Sequence, residues 1–543
     1  MLRAHVDDRQ LAALAARSKT TEQEARRQVG RHLGRLAASR RGWAQLLLGL
    51  LARAVLWRTQ RIEVEPEVLL RLRRLAGRGP LVFLPAHRSY ADSLVLAAAL
   101  RGAGVARPWR LAGENLAFWP LGALARRSGT VFIRRDFGPD PAYLLAVRCR
   151  LADLLARGQS VEWYPEAGRS RTGRLRRLRH GMLRVLVGAY MDTSIGTAIG
   201  DVHVVPVSIV YDVSPEVPAL TAQDAGAPKP AEGLRGLMRY LRACRGSGPR
   251  TARVGFAEPI ALRELTQAAT SEWAAARALA RRVGCGLREA TPATTESLLA
   301  LAFPPDARGP LDAAALGREV KALLDYAADR GIPACGRLSV PVALERMLRA
   351  GVLVAGPDGF TVAPGRERDL AYRRNIAAHW FMPRAVAELA MAGAAGSRRV
   401  RDLLAPLGVL PASQRVERLL EREFVALAGS LERQPFLLAP RLLGPIFEAY
   451  CSVAAESIGS TDSIGNGTGT GAAAAPPHWP ESRSAELRSA ATAAMAADGL
   501  LAPGADDAAR AAFAREMARL VARLVELAGI DAGRRAGGAH ARR

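Results

Sequence analysis

Cysteine is scarce in this sequence. Its five residues, Cys149, Cys244, Cys285, Cys335 and Cys451, stand far apart with no paired spacing. That argues against a zinc site built on cysteine pairs and against a disulfide framework, and it suggests a reducing compartment. Lysine is nearly missing: only Lys19, Lys229 and Lys321 occur, so the 77 basic residues are almost all arginine. No uncharged apolar stretch approaches the roughly 18–20 residues of a spanning helix, so the chain is not expected to cross a membrane. The first residues, Met1-Leu2-Arg3-Ala4-His5-Val6-Asp7-Asp8, carry no apolar signal core. No helix-turn-helix, zinc-finger or RNA-recognition signature turns up, so no specific nucleic-acid partner is expected.

What is present is length, apolar content and positive charge. The 543 residues are enough for about three to four domains of average size. Acids number 51, which leaves a net charge of +26. A surface of that sign attracts phosphates, nucleic acid or anionic lipid.

Residues 1–75 read as a helical N-terminal region. Its most apolar part runs from Trp43 to Trp57, with Arg40, Arg41 and Arg58 at the ends. Two readings stand: a helix buried in a bundle, or a helix lying in a membrane interface, where tryptophan and arginine suit the headgroup layer. From 76 onward short apolar runs alternate with helical patterns. Strands are expected at Leu81–Leu84, Gly129–Ile133, Ser160–Tyr164, Val202–Tyr211 and Arg253–Phe256. One intervening helix has Asp140 as N-cap, Pro141 as first residue and Gly158 as stop. Such alternation predicts an α/β domain whose sheet has substantial parallel character.

Val213 to Gly233 reads as a Pro/Ala/Gly-rich loop, and Gly356-Pro357-Asp358-Gly359 as a turn between two short strands. The expected division is an α/β domain at 76–310, a helical domain at 311–456 and a flexible linker at 457–481. A helical segment at 482–532 and a disordered basic tail at 533–543 complete it.

The chemistry centres on Pro85-Ala86-His87-Arg88-Ser89-Tyr90-Ala91-Asp92, between a buried strand and a helix. In open α/β sheets, ligands bind where strands end. Histidine can take a proton from a hydroxyl and return it. Asp92 meets His87 only if His87 lies on the loop and Asp92 in the first helical turn, because five residues along one helix put two side chains on different faces. The competing reading is a capping box, in which Asp92 merely satisfies an amide. Two arginines, Arg134 and Arg135, follow the next strand. The glycine-rich loop after the third carries Arg169, Arg171 and Arg174, whose forked donors can surround a phosphate. Glu166 is the one acid of that loop. No Gly-x-Ser-x-Gly elbow surrounds Ser170.

Four segments together resemble the successive blocks of the glycerolipid acyltransferases. They are His87-Arg88-Ser89-Tyr90-Ala91-Asp92, Gly129-Thr130-Val131-Phe132-Ile133-Arg134-Arg135, Glu166-Ala167-Gly168-Arg169-Ser170-Arg171 and Val204-Val205-Pro206-Val207-Ser208. Asn115-Leu116-Ala117-Phe118-Trp119-Pro120, Arg169 to Leu175 and Gly226-Ala227-Pro228-Lys229 are most similar to the bacterial membrane-associated glycerol-3-phosphate 1-O-acyltransferases.

The resemblance implies an α/β acyltransferase domain with a mixed, largely parallel sheet flanked by helices, and helical regions at both ends. It implies His87 as general base with Asp92 orienting it, and Phe132, Arg134, Glu166, Arg169, Ser170 and Arg171 around glycerol 3-phosphate. Pro206 would belong to the acyl-donor or structural block. The donor would be acyl-CoA or acyl carrier protein, with no metal and no tightly held cofactor. Anionic membrane lipid is the further expected partner, and the expected location is peripheral, on the cytoplasmic face of the cell membrane. Dihydroxyacetone phosphate or a lysophospholipid as acceptor, and a catalytically silent membrane-binding homologue, are the alternatives. One departure stands out: the family commonly has glycine after the block-three glutamate, and this chain has Ala167.

Overall fold

A computed structural model describes residues 6–540 with gaps at 57–58, 135–136, 138, 193–198, 230–233, 247–249, 304–309, 335–338, 459–483, 499 and 502–506. Between 393 and 436 it describes only Val400, Asp402, Leu404, Arg422, Glu423 and Leu427. The chain forms two compact units. The first comprises Met1–Arg169, Arg176–Pro215 and Pro230–Thr291; the second comprises Ser170–Leu175, Glu216–Lys229 and Pro292–Arg543.

The first unit is built on an eight-stranded sheet. Its strands are β1 (Thr59–Glu63), β2 (Leu81–Pro85), β3 (Trp109–Gly113), β4 (Thr130–Ile133), β5 (Val161–Glu162), β6 (His203–Tyr211), β7 (Arg250–Phe256) and β8 (Ile260–Ala261). Their spatial order is β1-β7-β6-β2-β5-β3-β4, with β8 beside β6. From β4 to β6 every pairing is parallel, whereas β7 and β8 run antiparallel to β6. The sheet is therefore mixed and largely parallel, as expected.

Position in the sheet explains the sequence of each strand. Strand β2 is central, so all five residues are buried and its apolar run is unbroken. Strand β7 alternates buried and partly exposed residues along its length, the period of a strand with one covered face. The core beneath includes Leu81, Phe83, Val95, Leu96, Val207 and Phe256. Burying each such side chain stabilises the fold by about 1.5–3 kcal/mol.

Around the sheet lie α1 (Asp8–Ser18), α2 (Glu22–Arg35), α3 (Gly42–Leu56), α4 (Pro66–Ala76), α5 (Asp92–Gly102), α6 (Leu121–Arg127), α7 (Pro141–Ala156) and α8 (His180–Met191). Asp140 caps α7 by accepting the Tyr143 N–H, and Gly158 takes a positive φ just beyond it. Strand β1 lies within the stretch read as helical. Its Thr-Gln-Arg-Ile-Glu sequence has no apolar run because, among the described residues, it pairs on one side only, with β7.

The second unit is helical, with a core that includes Leu298, Leu323, Phe381, Phe447 and Leu520. Its helices include Thr295–Ala302, Ala313–Asp329, Glu367–Met391, Ala439–Ile458, Ala485–Ala497 and Asp507–His540. The last runs through most of the stretch read as a basic tail. The turn at 356–359 joins antiparallel strands β9 (Leu353–Gly356) and β10 (Gly359–Val362). Helix Val217–Asp224 occupies part of the stretch read as a loop and bonds to this unit through Thr221 Oγ1 and Asp369. Residues 459–483, most of the expected linker, lie outside the described residues.

Candidate active site

The site grows from the end of β2. After Pro85 the Ala86 N–H donates to Val207 O of β6, which keeps the chain on the sheet for one more residue. The chain then turns, and α5 begins at Asp92. His87 thus lies on the loop and Asp92 in the first helical turn, the arrangement their meeting requires.

Asp92 is fully buried, and its two oxygens have different work. Oδ2 lies 3.1 Å from His87 Nδ1 and accepts the N–H groups of Arg88 and Ser89, each at 2.8 Å. Oδ1 accepts the Tyr211 hydroxyl at 2.9 Å. Asp92 satisfies amides of its own loop and also faces the imidazole, but the capping box is not formed: Ala91 is the N-cap of α5 and no side chain caps the helix. A carboxylate on Nδ1 holds the ring proton there and leaves Nε2 as the basic nitrogen. The His87 side chain keeps 19% of its surface open.

Two further residues hold His87. Tyr164, beyond β5, stacks on its ring at 4.0 Å between centroids and 28° between planes. Glu166 accepts the His87 backbone N–H through Oε1 and the Arg176 N–H through Oε2, both at 2.7 Å. Burial pushes the Glu166 carboxyl up to about 7, against the opposite pull of those two bonds and of Arg88 and Arg176. Arg88 turns inward, donating to Ser208 Oγ at 2.9 Å and Ile209 O at 3.3 Å.

The candidate phosphate ligands fall in different places. The Arg169 guanidinium lies 3.8 Å from the centroid of the Tyr90 ring, on the same loop as His87. Arg134 follows β4, where it pairs with Asp140 at 3.0 Å and stacks on Tyr143 at 4.3 Å. Strands β2 and β4 are three spacings apart, roughly 14 Å. Phe132 is buried within β4, with Arg126 over its ring at 5.0 Å. Pro206 is buried in β6, register-paired with Leu84. Arg135 lies outside the described residues.

Ser170 and Arg171 belong to the second unit. The Ser170 hydroxyl donates to Arg174 O at 2.7 Å, and Arg171 is half-buried. Gly173 has φ +83°, and an added Cβ would sit 2.0 Å from Tyr372 O, so this turn requires glycine. Burial lowers Arg174 to about 10, with Glu486 and Asp224 acting in the opposite direction.

Ala167 has φ +52°, the left-handed region where glycine is usual. Its side chain is exposed. The substitution that departs from the family pattern therefore strains the backbone locally.

Sequence reading missed Tyr211, Tyr164 and Tyr90. Tyr211 ends a strand that neighbours β2, so the rule that ligands gather at strand ends was the available signal. Among the described residues, no group of three or more histidine, cysteine, aspartate or glutamate side chains could hold a metal ion. No described helix is long and apolar enough to cross a membrane.

Comparison with known proteins places this geometry in context. Residues 61–210 match the family model described as Acyltransferase, and residues 221–435 match the Glycerol-3-phosphate acyltransferase C-terminal region. The chain is 30% identical over 507 residues to the putative acyltransferase plsB1 of Mycobacterium bovis, covering 84% of this chain and 79% of that protein. It is 39% identical over 204 residues to the glycerol-3-phosphate acyltransferase of Histophilus somni, 37% of this chain and 24% of that one. For the glycerol-3-phosphate acyltransferase of Pasteurella multocida the identity is 37%, with the same coverage.

Proposed function

Because the chain belongs to the glycerol-3-phosphate acyltransferase family, we propose that it moves a fatty acyl group from a thioester to the sn-1 hydroxyl of glycerol 3-phosphate, the first step of phospholipid synthesis. The donor is acyl-CoA or acyl carrier protein. The observation that carries this reading is the His87–Asp92 pair, with Nδ1 turned to a buried carboxylate and part of the imidazole open.

In this mechanism His87 Nε2 takes the proton of the acceptor hydroxyl as the oxygen attacks the thioester carbonyl. The tetrahedral intermediate collapses with cleavage of the C–S bond. The departing thiolate receives the proton from His87, which returns the base to its starting state. Asp92 stabilises the imidazolium that forms in between and keeps its tautomer fixed. Attack is direct, without an acyl-enzyme. Cys149 is buried, and burial pushes its thiol up to about 12. The Ser170 hydroxyl is committed to Arg174 O. Neither has the form of an activated nucleophile.

Arg169 is assigned to the acceptor phosphate, since Tyr90 holds its guanidinium on the His87 loop. Glu166 braces the His87 loop. Dihydroxyacetone phosphate and lysophospholipids remain competing acceptors.

The enzyme is assigned to a membrane surface, on its cytoplasmic face. Support comes from α3. Trp43, Leu46, Leu47, Leu50 and Leu51 repeat at helical spacing, yet they are 40–68% exposed, while Gln45, Leu48 and Ala52 on the opposite side are partly buried. A bundle helix would bury that stripe. Arg41 and Arg53 are exposed beside it, and both suit anionic headgroups.

The test is purified protein in lipid, offered labelled acyl-CoA or acyl carrier protein and several acceptors. Acyl transfer dependent on glycerol 3-phosphate is expected. Preference for another acceptor, or no thioester cleavage, overturns the reading.

A further inference from the structure

Tyr211 closes β6, and its phenol reaches Asp92 Oδ1 at 2.9 Å. His87 Nδ1 and the N–H groups of Arg88 and Ser89 all gather on the other oxygen, Oδ2. Those three come from one loop, so they follow the loop wherever it goes. Tyr211 comes from a strand in the sheet, 119 residues away in sequence. It is therefore the contact that references the carboxylate to the rigid frame.

The phenol also draws electron density from the carboxylate. A hydrogen bond to an ion is stronger than one between neutral groups, and it disperses the charge it stabilises. What Asp92 gives to Tyr211 is not available to the imidazolium of His87. Burial first, and then the charge of Asp92, push the Tyr211 hydroxyl well above its usual range, so it remains a donor at neutral pH. The titratable groups facing Tyr211 are Asp92 of α5, Tyr164 beyond β5 and Tyr240 of helix Leu234–Gly246. His87 lies beyond Asp92, with Glu166 on its backbone N–H and Arg88 and Arg176 acting on Glu166, while Glu162 and Arg110 act on Tyr164.

We propose that Tyr211 is a positioning residue that sets both the orientation and the proton affinity of His87 through Asp92. The kinetic part of the test rests on the acyl-transfer reading; the titration part does not.

Removing the phenol has two consequences. The carboxylate loses its tie to the sheet, so the imidazole is less well aimed. More charge is left to hold the His87 proton, so the base is freed only at higher pH. Tyr211→Phe should lower kcat roughly 10-fold, below the full worth of a bond to a charged group. It should also move the acid limb of the kcat/KM profile upward by roughly half a pH unit. In an Asp92→Asn background the same substitution should cost less than about 3-fold, because coupled residues are not additive. Replacing Tyr211 by 3-fluorotyrosine, a stronger donor of nearly the same shape, should move the limb downward. Tyr240→Phe should leave it in place.

The second readout is the NMR titration of the His87 ring in histidine-labelled protein, assigned by its loss in His87→Ala. Its midpoint should rise in Tyr211→Phe and fall with fluorotyrosine. If the parent transfers no acyl group, the proposed function fails, and this titration alone decides the role of Tyr211. If Tyr211→Phe does not fold, as judged by thermal melting, the fluorotyrosine protein carries the test. Coincident titrations across the variants would overturn the proposal. So would equal losses in the parent and Asp92→Asn backgrounds, or an equal shift from Tyr240→Phe.

Discussion

The carboxylate of Glu166 accepts the backbone N–H of His87 at 2.7 Å, and with its other oxygen it accepts that of Arg176. One buried acid thus ties the loop after β2 to the segment leading into α8. Burial raises this group from 4.5 to about 7. An acid whose pKa is higher in the folded state binds more protons there than when unfolded. Stability is therefore greatest below about 4.5 and is lost as pH rises toward 7, after which it is level. Glutamine does not titrate, so Glu166→Gln has no such pH dependence. The stability of the parent relative to Glu166→Gln should fall between pH 5 and 8 by roughly 2–3 kcal/mol. Urea unfolding of both proteins at the two pH values measures this. A constant difference would contradict the buried-acid account.

Ala167 offers a test by repair. Its φ of +52° is a conformation that costs a residue with a Cβ about 1–2 kcal/mol. Glycine removes that cost but carries about 0.5–1 kcal/mol of extra chain entropy in the unfolded state. Ala167→Gly should therefore raise stability slightly, by about 0.5 kcal/mol, and leave turnover within about 2-fold. Denaturant midpoints resolve such a change. A clear loss of stability would show that the side chain contributes something beyond strain. Because that side chain is exposed, the departure at Ala167 gives little support to a silent homologue.

Local patterns made part of this legible. Leu81–Leu84 announced a strand because a central parallel strand is apolar on both faces. Asp140, Pro141 and Gly158 announced a helix because each serves a terminal backbone group. His87 and Asp92 were paired by one constraint on helix geometry. Strand β3, Trp-Arg-Leu-Ala-Gly, was not legible, since Arg110 is drawn inward by Glu162 at 2.5 Å. Strand β1 was hidden by its polar edge sequence. Tyr211 and Tyr164 were invisible for another reason: what they touch is set by strand order, which no spacing in the chain reveals.

The outward stripe of α3 separates two readings that the sequence left open. Replacing Leu47, Leu50 and Leu51 by serine removes side chains that are already 40–54% exposed. The melting temperature should change by no more than a few degrees, as for surface substitutions. Flotation with vesicles containing anionic lipid should drop several-fold, because each leucine contributes apolar burial only when the bilayer is present. Salt alone should release part of the parent protein, and detergent the rest. A variant that unfolds would return α3 to the bundle reading. A folded variant that floats like its parent would place the lipid contact elsewhere.

The central claim is that His87 is the base. Its most direct measurement is the rate of thiol release from acyl-CoA that depends on glycerol 3-phosphate, in the parent and in folded His87→Ala. Loss of a general base costs roughly 10²–10⁴-fold, and the account predicts a fall of that size with melting behaviour unchanged. A folded His87→Ala protein that turns over within a few-fold of the parent would contradict it, and would leave the meeting of His87 with Asp92 as a contact that shapes the loop and nothing more.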